Sequence, residues 1–324
     1  MFDDSATLIL LGKQAFAYGA MVMLGCWLAL AVLFFLSRKD EILHRAAAIT
    51  AILALPLGFV LARLAFALLD PNFAPLLTLK NLFKVSYGGY AFYGALAGAL
   101  IAGLIGARSA GVKKSKALDL VALAVLAFLV PARLGEGFTA LGVSRPLTTE
   151  FLINSFLARR DEYDAYLRTY LLEAVIAAVL LVILLKVYHK KGREGKVFTL
   201  FCLLFGVSQT LMESLRYDGH LRYSFVGVQQ VLSAALFSVT IIVLAIRLLK
   251  ARPHSRLLPI LALISVPVVL LAIVGVEFLI DRSELGKLFS YALYLAVLAI
   301  PVTLGILLIH QEDQLGQQRA HGAH

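Results

Sequence analysis

Charge is scarce in this sequence. Asp, Glu, Lys and Arg make up 15% of its 324 residues, where soluble domains carry about 25%. That shortage excludes an ordinary soluble globular fold. Cysteine is scarcer still: Cys26 and Cys202 are the only two, and both lie inside apolar runs. They exclude a disulfide framework and a cysteine-built metal site, and no metal or other cofactor is expected. Acidic residues are the minority sign, 20 against 30 basic ones, for a net charge of +10. A basic balance raises nucleic acid as a partner. The cations, however, fall in short loops between apolar runs and form no continuous patch, so no nucleic-acid partner is expected. A basic leader is missing too, since Asp3 and Asp4 stand ahead of Lys13, unlike the start of a cleavable signal.

What the chain has in abundance is hydrocarbon: 60% of it is hydrophobic. Several runs reach the ~20 apolar residues a helix needs to cross about 30 Å of bilayer. Nine spans are expected, near 15–37, 46–69, 88–107, 117–135, 166–187, 197–215, 227–249, 257–280 and 287–309. The fold class is therefore an all-α polytopic membrane protein, with the lipid bilayer as its first partner. Lys and Arg number 17 in the loops after odd-numbered spans and 10 on the other side. The basic set is expected to face the cytoplasm, which puts the N-terminus outside and the C-terminus inside. Residues 137–165 form the longest loop, on the outer side, polar and placed to cap a site beneath it. Residues 1–250 read as a seven-span core. Residues 251–324 read as an appended two-span module, apolar within except for Glu277, followed by a frayed polar tail.

Ionisable side chains inside such spans are expensive, at roughly 2.5–3.5 kcal/mol each on insertion scales, and by default mark function. Val130-Pro131-Ala132-Arg133-Leu134-Gly135-Glu136-Gly137-Phe138 places a guanidinium and a carboxylate at the outer end of the fourth span. That pair is either a snorkelling salt bridge or part of a site. In the sixth span Gln209, Glu213 and Arg216 follow at i, i+4 and i+7, on one helical face. Glu173 lies one turn inside the fifth span and needs a counter-ion or a proton. Asp119 is expected as a first-turn carboxylate of the fourth. Gly88 and Gly89 break the chain before the third span, where backbone N–H groups can approach an anion. Gly94 and Gly98 make a GxxxG packing ridge behind them. Tyr18 and Tyr93 are placed to line a site or an aromatic belt. Guanidinium forks at headgroup depth suit a phosphate, so the ligand expected from the residues alone is an anionic phospholipid headgroup.

With these pieces in order, residues of about 15 to 249 resemble the bacterial prolipoprotein diacylglyceryl transferase family. Tyr18-Gly19, the stretch Gly58 to Arg63 and Gly88-Gly89-Tyr90-Ala91-Phe92-Tyr93-Gly94 are similar to its first three spans. Ala132-Arg133-Leu134-Gly135-Glu136 resembles the start of its Gly-Arg-x-Gly-Asn-Phe signature. Glu173 resembles a Tyr-Glu carboxylate. Glu213-Ser214-Leu215-Arg216 and Gln230-Val231-Leu232-Ser233 are similar to its later helices. The resemblance implies transfer of diacylglyceryl from phosphatidylglycerol to the lipobox cysteine of a preprolipoprotein signal peptide, at the outer leaflet of the bacterial cytoplasmic membrane. It further implies Arg133, Glu213, Glu173, Tyr18 and Tyr93 as catalytic residues. Arg133, Arg216, Gly88, Gly89, Glu136 and Gln209 would bind the substrate phosphate.

The chain departs from the family's pattern at five points. Tyr93 replaces a His, Glu136 an Asn, Leu141 a Glu, Phe205 a Tyr and Gln209 an Arg. Two readings therefore stand beside each other: a transferase, and a divergent paralogue that binds phospholipid or a membrane partner with the reaction altered or lost. A small transporter ranks behind both, because the buried charges gather near one surface.

Overall fold

A computed structural model describes residues 7–10, 13–70, 73, 78, 81, 89–190, 192–218, 221–251, 256–282 and 286–321. Among the described residues nine helices are long and apolar enough to cross a bilayer. They are α1 (Ala17–Ser37), α2 (Glu41–Leu69), α3 (Phe92–Ala110), α4 (Lys114–Gly135), α5 (Thr169–His189), α6 (Lys196–Leu215), α7 (Val228–Ala251), α8 (Leu257–Arg282) and α9 (Lys287–His321). In lipid each backbone polar group must be satisfied within its own segment, which leaves helices as the form these runs can take. Large apolar side chains such as Trp27, Ile52, Leu271 and Leu288 stand exposed on the helix surfaces, as expected where the solvent is hydrocarbon.

The chain forms two compact units, Met1–Leu185 with Tyr217–Leu221, and Lys186–Arg216 with Arg222–His324. In the first, α2 lies along α3, and α1 along α4. Small residues decide the first contact. A Cβ on Gly98 would meet the backbone nitrogen of Gly58 at 2.5 Å, and one on Gly106 would meet the Ala46 carbonyl oxygen at 2.6 Å. Gly94 likewise lies against the Leu61 carbonyl. This is the close backbone approach expected of the GxxxG ridge. Asp40 caps α2, accepting from the Leu43 N–H at 3.0 Å, and its other oxygen takes Lys116 Nζ at 2.6 Å.

Asp40→Ala is expected to lower the thermal midpoint in detergent, since losing such a cap costs about 1 kcal/mol. The Lys116 hydrogen bond, then the Leu43 N–H, hold the Asp40 carboxyl below its ordinary 3.8. A depressed carboxyl contributes stability above that value and loses it on protonation. The gap between variant and wild type should therefore close as the pH falls below 3.8; a gap that persists in acid would refute the assignment.

The long loop of residues 137–165 carries strands of its own. Strands β3 (Val143–Pro146), β4 (Ala158–Arg160) and β5 (Ala165–Arg168) make an antiparallel sheet in the order β3-β5-β4, with one helical turn at Glu150–Ile153. An N-terminal hairpin, β1 (Thr7–Leu10) and β2 (Lys13–Phe16), precedes α1, and a second, β6 (Arg222–Tyr223) and β7 (Val226–Gly227), precedes α7.

In the second unit α6, α7, α8 and α9 share one apolar core, with Leu203, Phe237, Ile241, Val269, Tyr294 and Leu298 at its centre. The tail after residue 310, expected to fray, continues as helix to His321. Ion pairs explain the difference. Glu312 takes Arg193 Nη2 at 2.8 Å, and Asp313 takes Lys196 Nζ at 2.5 Å.

Candidate functional site

The Arg133 cluster is built where α4 ends. Pro131 lacks the N–H that would bond the Ala127 carbonyl, and the helix stops four residues later in a 3₁₀ turn, Glu136–Phe138. That junction brings residue 136 back toward residue 133. Arg133 Nη1 lies 2.5 Å from Glu136 Oε1, and Arg133 Nε lies 2.8 Å from Glu173 Oε2 on α5. The three residues are 7%, 5% and 1% exposed. The snorkelling alternative would leave the guanidinium in water, so this burial removes it. Glu173 receives its counter-ion from another helix, as its depth requires. The Phe92 ring lies 6.0 Å from the guanidinium carbon.

The turn after the helix is held from several directions. Arg159 Nη1 donates to the Thr139 carbonyl at 2.9 Å, and Thr139 Oγ1 donates to the Glu136 carbonyl at 2.8 Å. Gly142 takes a positive φ of 72°, and its N–H donates to an Asp218 carboxylate oxygen. A Cβ there would meet Glu136 Oε2 at 2.9 Å and Tyr170 Cβ at 2.5 Å. Any other residue at 142 is both strained and crowded against the cluster. Tyr18 stands against the same junction, for a Cβ on Gly135 would lie 3.2 Å from its ring.

Two carboxylates flanking one guanidinium carry a formal −1 when all three are ionised. Such a cluster fixes the guanidinium's direction before any anion arrives.

Other expected residues of this unit lie nearby in the chain but with different partners. Gly89 has a φ of 73° and sits before α3, which starts at Phe92 and not at 88. Its carbonyl accepts from Arg63 Nη1 at 2.9 Å. Arg63 is buried among aromatic rings, 4.7 Å from the Phe73 centroid, which gives this second-span cation a structural task. Tyr93 packs edge-on against Phe92 at 5.3 Å. Gly88 lies outside the described residues. Asp119 is buried and sits past the first turn of α4, which corrects its reading as a first-turn carboxylate.

The sixth-span residues belong to the second unit. Gln209 and Glu213 share α6 and are buried. Arg216 is the extended residue that caps the helix, with ψ 139°, and it is buried. It therefore does not continue the helical face beyond Glu213 and is no exposed interface marker. Arg222, to which the sequence pointed only as a loop cation, donates through Nη2 to the carbonyls of Glu213 at 2.7 Å and Arg216 at 2.6 Å. It satisfies carbonyls that a helix end leaves without an internal donor. A Cβ on Gly227 would lie 3.8 Å from Glu213 Oε2, so that carboxylate rests over Gly227, where β7 leads into α7.

Sequence reasoning passed over Gln230 as a site residue. Its Nε2 lies 2.5 Å from Glu277 Oε1 and 2.9 Å from Tyr294 Oη. The signal available was Glu277 itself, a carboxylate in an otherwise apolar span.

The family model described as prolipoprotein diacylglyceryl transferase matches residues 7–246. A protein named phosphatidylglycerol–prolipoprotein diacylglyceryl transferase from Lactobacillus acidophilus is 26% identical over 247 residues, covering 72% of this chain and 84% of that one. One of the same name from Bacillus velezensis is 24% identical, covering 74% and 88%. Another from Staphylococcus haemolyticus is 26% identical, covering 60% and 71%.

Proposed function

Because this chain belongs to the prolipoprotein diacylglyceryl transferase family, we propose that it moves diacylglyceryl from phosphatidylglycerol to the cysteine thiol of a lipobox peptide. It is a multi-pass protein of the bacterial inner membrane. The site is proposed to face the outer leaflet, with the N-terminus outside and the C-terminus in the cytoplasm; the Lys and Arg asymmetry of the loops supports this. Residues 251–324 are read as an addition to a family core of 1–250, supported by a family match that ends at residue 246.

The observation that carries the proposal is the buried, doubly anchored Arg133. Thiol sulfur attacks the glyceryl carbon, the carbon–oxygen bond to phosphate breaks, and glycerol phosphate leaves as a thioether forms. Charge grows on the departing phosphate, where a preoriented guanidinium is worth most. The thiol, with an ordinary pKa near 8.5, must lose its proton to attack. Glu173 is proposed as the base or the group that orients it, with Tyr18 and Tyr93 as supporting donors and the Gly88-Gly89 backbone as an anion contact. Roles for Glu213 as base, and for Arg216 and Gln209 toward phosphate, rest on the sequence resemblance alone.

The test incubates purified protein with phosphatidylglycerol vesicles and a lipobox peptide and weighs the peptide. A diacylglyceryl mass gain on cysteine is expected; none from folded protein would refute the reaction.

Glu136 favours a second reading, an altered or lost reaction, because it occupies Arg133 Nη1 at 2.5 Å, where a phosphate oxygen would bind. Glu136→Asn removes one negative charge from the cluster. On the transferase reading it should lower the KM for phosphatidylglycerol several-fold, since like charge no longer opposes the phosphate. An unchanged or higher KM would mean that Glu136 does not compete with substrate.

A further inference from the structure

Helices α8 and α9 lie beyond the segment matched by the family, yet they insert polar groups into the core of the second unit. Glu277 on α8, Tyr294 on α9 and Gln230 on α7 are 3%, 0% and 2% exposed. A carboxylate at that depth is unfavourable unless hydrogen bonds hold it. Gln230 supplies one. Its amide has two unlike ends: Nε2 donates to Glu277 Oε1 at 2.5 Å, to Tyr294 Oη at 2.9 Å and to the Thr210 carbonyl at 3.3 Å, and Oε1 accepts from the Gly227 N–H at 3.3 Å. An ionised carboxylate only accepts. Turning the amide over would set oxygen against oxygen at Glu277 and N–H against N–H at Gly227. The Thr210 carbonyl favours the same orientation, but Glu277 makes the shortest contact and is the acceptor that the two extra helices add, so it holds the oxygen end of Gln230 toward Gly227.

Gly227 is the residue over which the Glu213 carboxylate rests. The α9 hydroxyls reach the same helix on either side of Glu213. Tyr294 Oη lies 3.4 Å from the Thr210 carbonyl, and Tyr291 Oη lies 3.2 Å from that of Ser214. We propose that Glu277 is a positioning residue: by orienting Gln230 it fixes the Gly227 backbone and so the Glu213 carboxylate, which makes the two extra helices part of this chain's working site. The part of this that concerns catalysis rests on the transferase reading above, whereas the orientation of Gln230 and Gly227 does not.

The experiment uses the full chain in detergent and two readouts, hydrogen exchange of the peptide holding Gly227 and steady-state transfer from phosphatidylglycerol vesicles to a lipobox peptide. Glu277→Leu removes the acceptor. Gly227 exchange should rise about tenfold and kcat fall about tenfold, with the KM for the lipid within about twofold. Glu277→Gln keeps an acceptor oxygen and should hold both readouts within about threefold of wild type. Glu277→Asp keeps the charge but withdraws the oxygen by one methylene, and it should follow Leu. It also carries the test if the Leu variant does not fold.

Wild-type exchange at Gly227 in folded Leu or Asp variants would overturn the proposal. So would a Gln variant as impaired as Leu, which would point to charge and not orientation. A rise in exchange with kcat unchanged would overturn the catalytic part. A wild-type protein that transfers no lipid refutes the transferase reading instead, and the exchange data still decide the orientation of Gln230.

Discussion

Arg133→Lys is expected to reduce lipid transfer by about 100- to 1,000-fold, the range found when one preorganised donor to a developing anion is removed. Lysine keeps the charge and loses the fork. One ammonium cannot reproduce the arrangement in which Nη1 meets Glu136 at 2.5 Å while Nε meets Glu173 at 2.8 Å. With its direction no longer fixed from two sides, the cation would be placed by whichever carboxylate it reaches, and Glu173, 1% exposed, cannot turn to water instead. The loss should fall mainly on kcat, because the phosphate gains charge in the transition state. Mass analysis of the lipobox peptide gives the rate, and a thermal melt of the same preparation separates chemistry from misfolding. Turnover equal to wild type would remove Arg133 from phosphate recognition and leave it a structural cation.

The second large effect concerns folding. Gly98→Leu is expected to destabilise the first unit by about 3 kcal/mol or more, the upper range for overpacking. A Cβ at residue 98 would stand 2.5 Å from the Gly58 nitrogen and 2.6 Å from its Cα. Both are backbone atoms of α2 and cannot move aside as a side chain can. The helices would have to separate, and in lipid no hydrophobic force drives them back together. Gly111, where a Cβ would meet nothing within 4 Å, is the control for an open glycine, though its φ of 74° adds local strain. Cysteine crosslinking between α2 and α3 would measure the separation. Efficient crosslinking and a wild-type melting temperature in Gly98→Leu would show that the ridge is not what sets this contact.

The glycine ridge shows how much was legible before the fold. Small residues four apart in an apolar run have one common use in lipid, and Gly94 and Gly98 serve it. Arg133, Glu136 and Glu173 were legible as anomalies, because a charge in an apolar run is visible without knowing its partner. What stayed hidden was the partner. Arg133 and Glu173 are 40 positions apart, and Gln230 and Tyr294 are 64 apart. No local period links residues at such separations. The strands of residues 137–165 stayed hidden for a related reason. The segment read as a polar loop placed to cap a site, and backbone pairing between Arg159 and Tyr166 and between Val143 and Arg168 makes part of it a sheet. Side chains on a small two-sided sheet need not alternate strictly, so the period that reveals a strand is missing.

The nine apolar helices found among the described residues, with hydrocarbon as their solvent, were legible without any fold. Each follows from a requirement met inside one segment: enough hydrocarbon to cross a bilayer, with every N–H and C=O bonded along its own axis. The sequence also determined that the end of the fourth span carries an uncommon pair of charges. The packing of the helices was needed to show that Arg133 is shared between Glu136 and Glu173 and buried with them, and that Glu277 reaches Gln230 from beyond the residues the family model matches. Such contacts depend on how separate helices are brought together. A buried charge is tolerated only where that assembly supplies its partner, and the assembly is written in no single stretch of the chain.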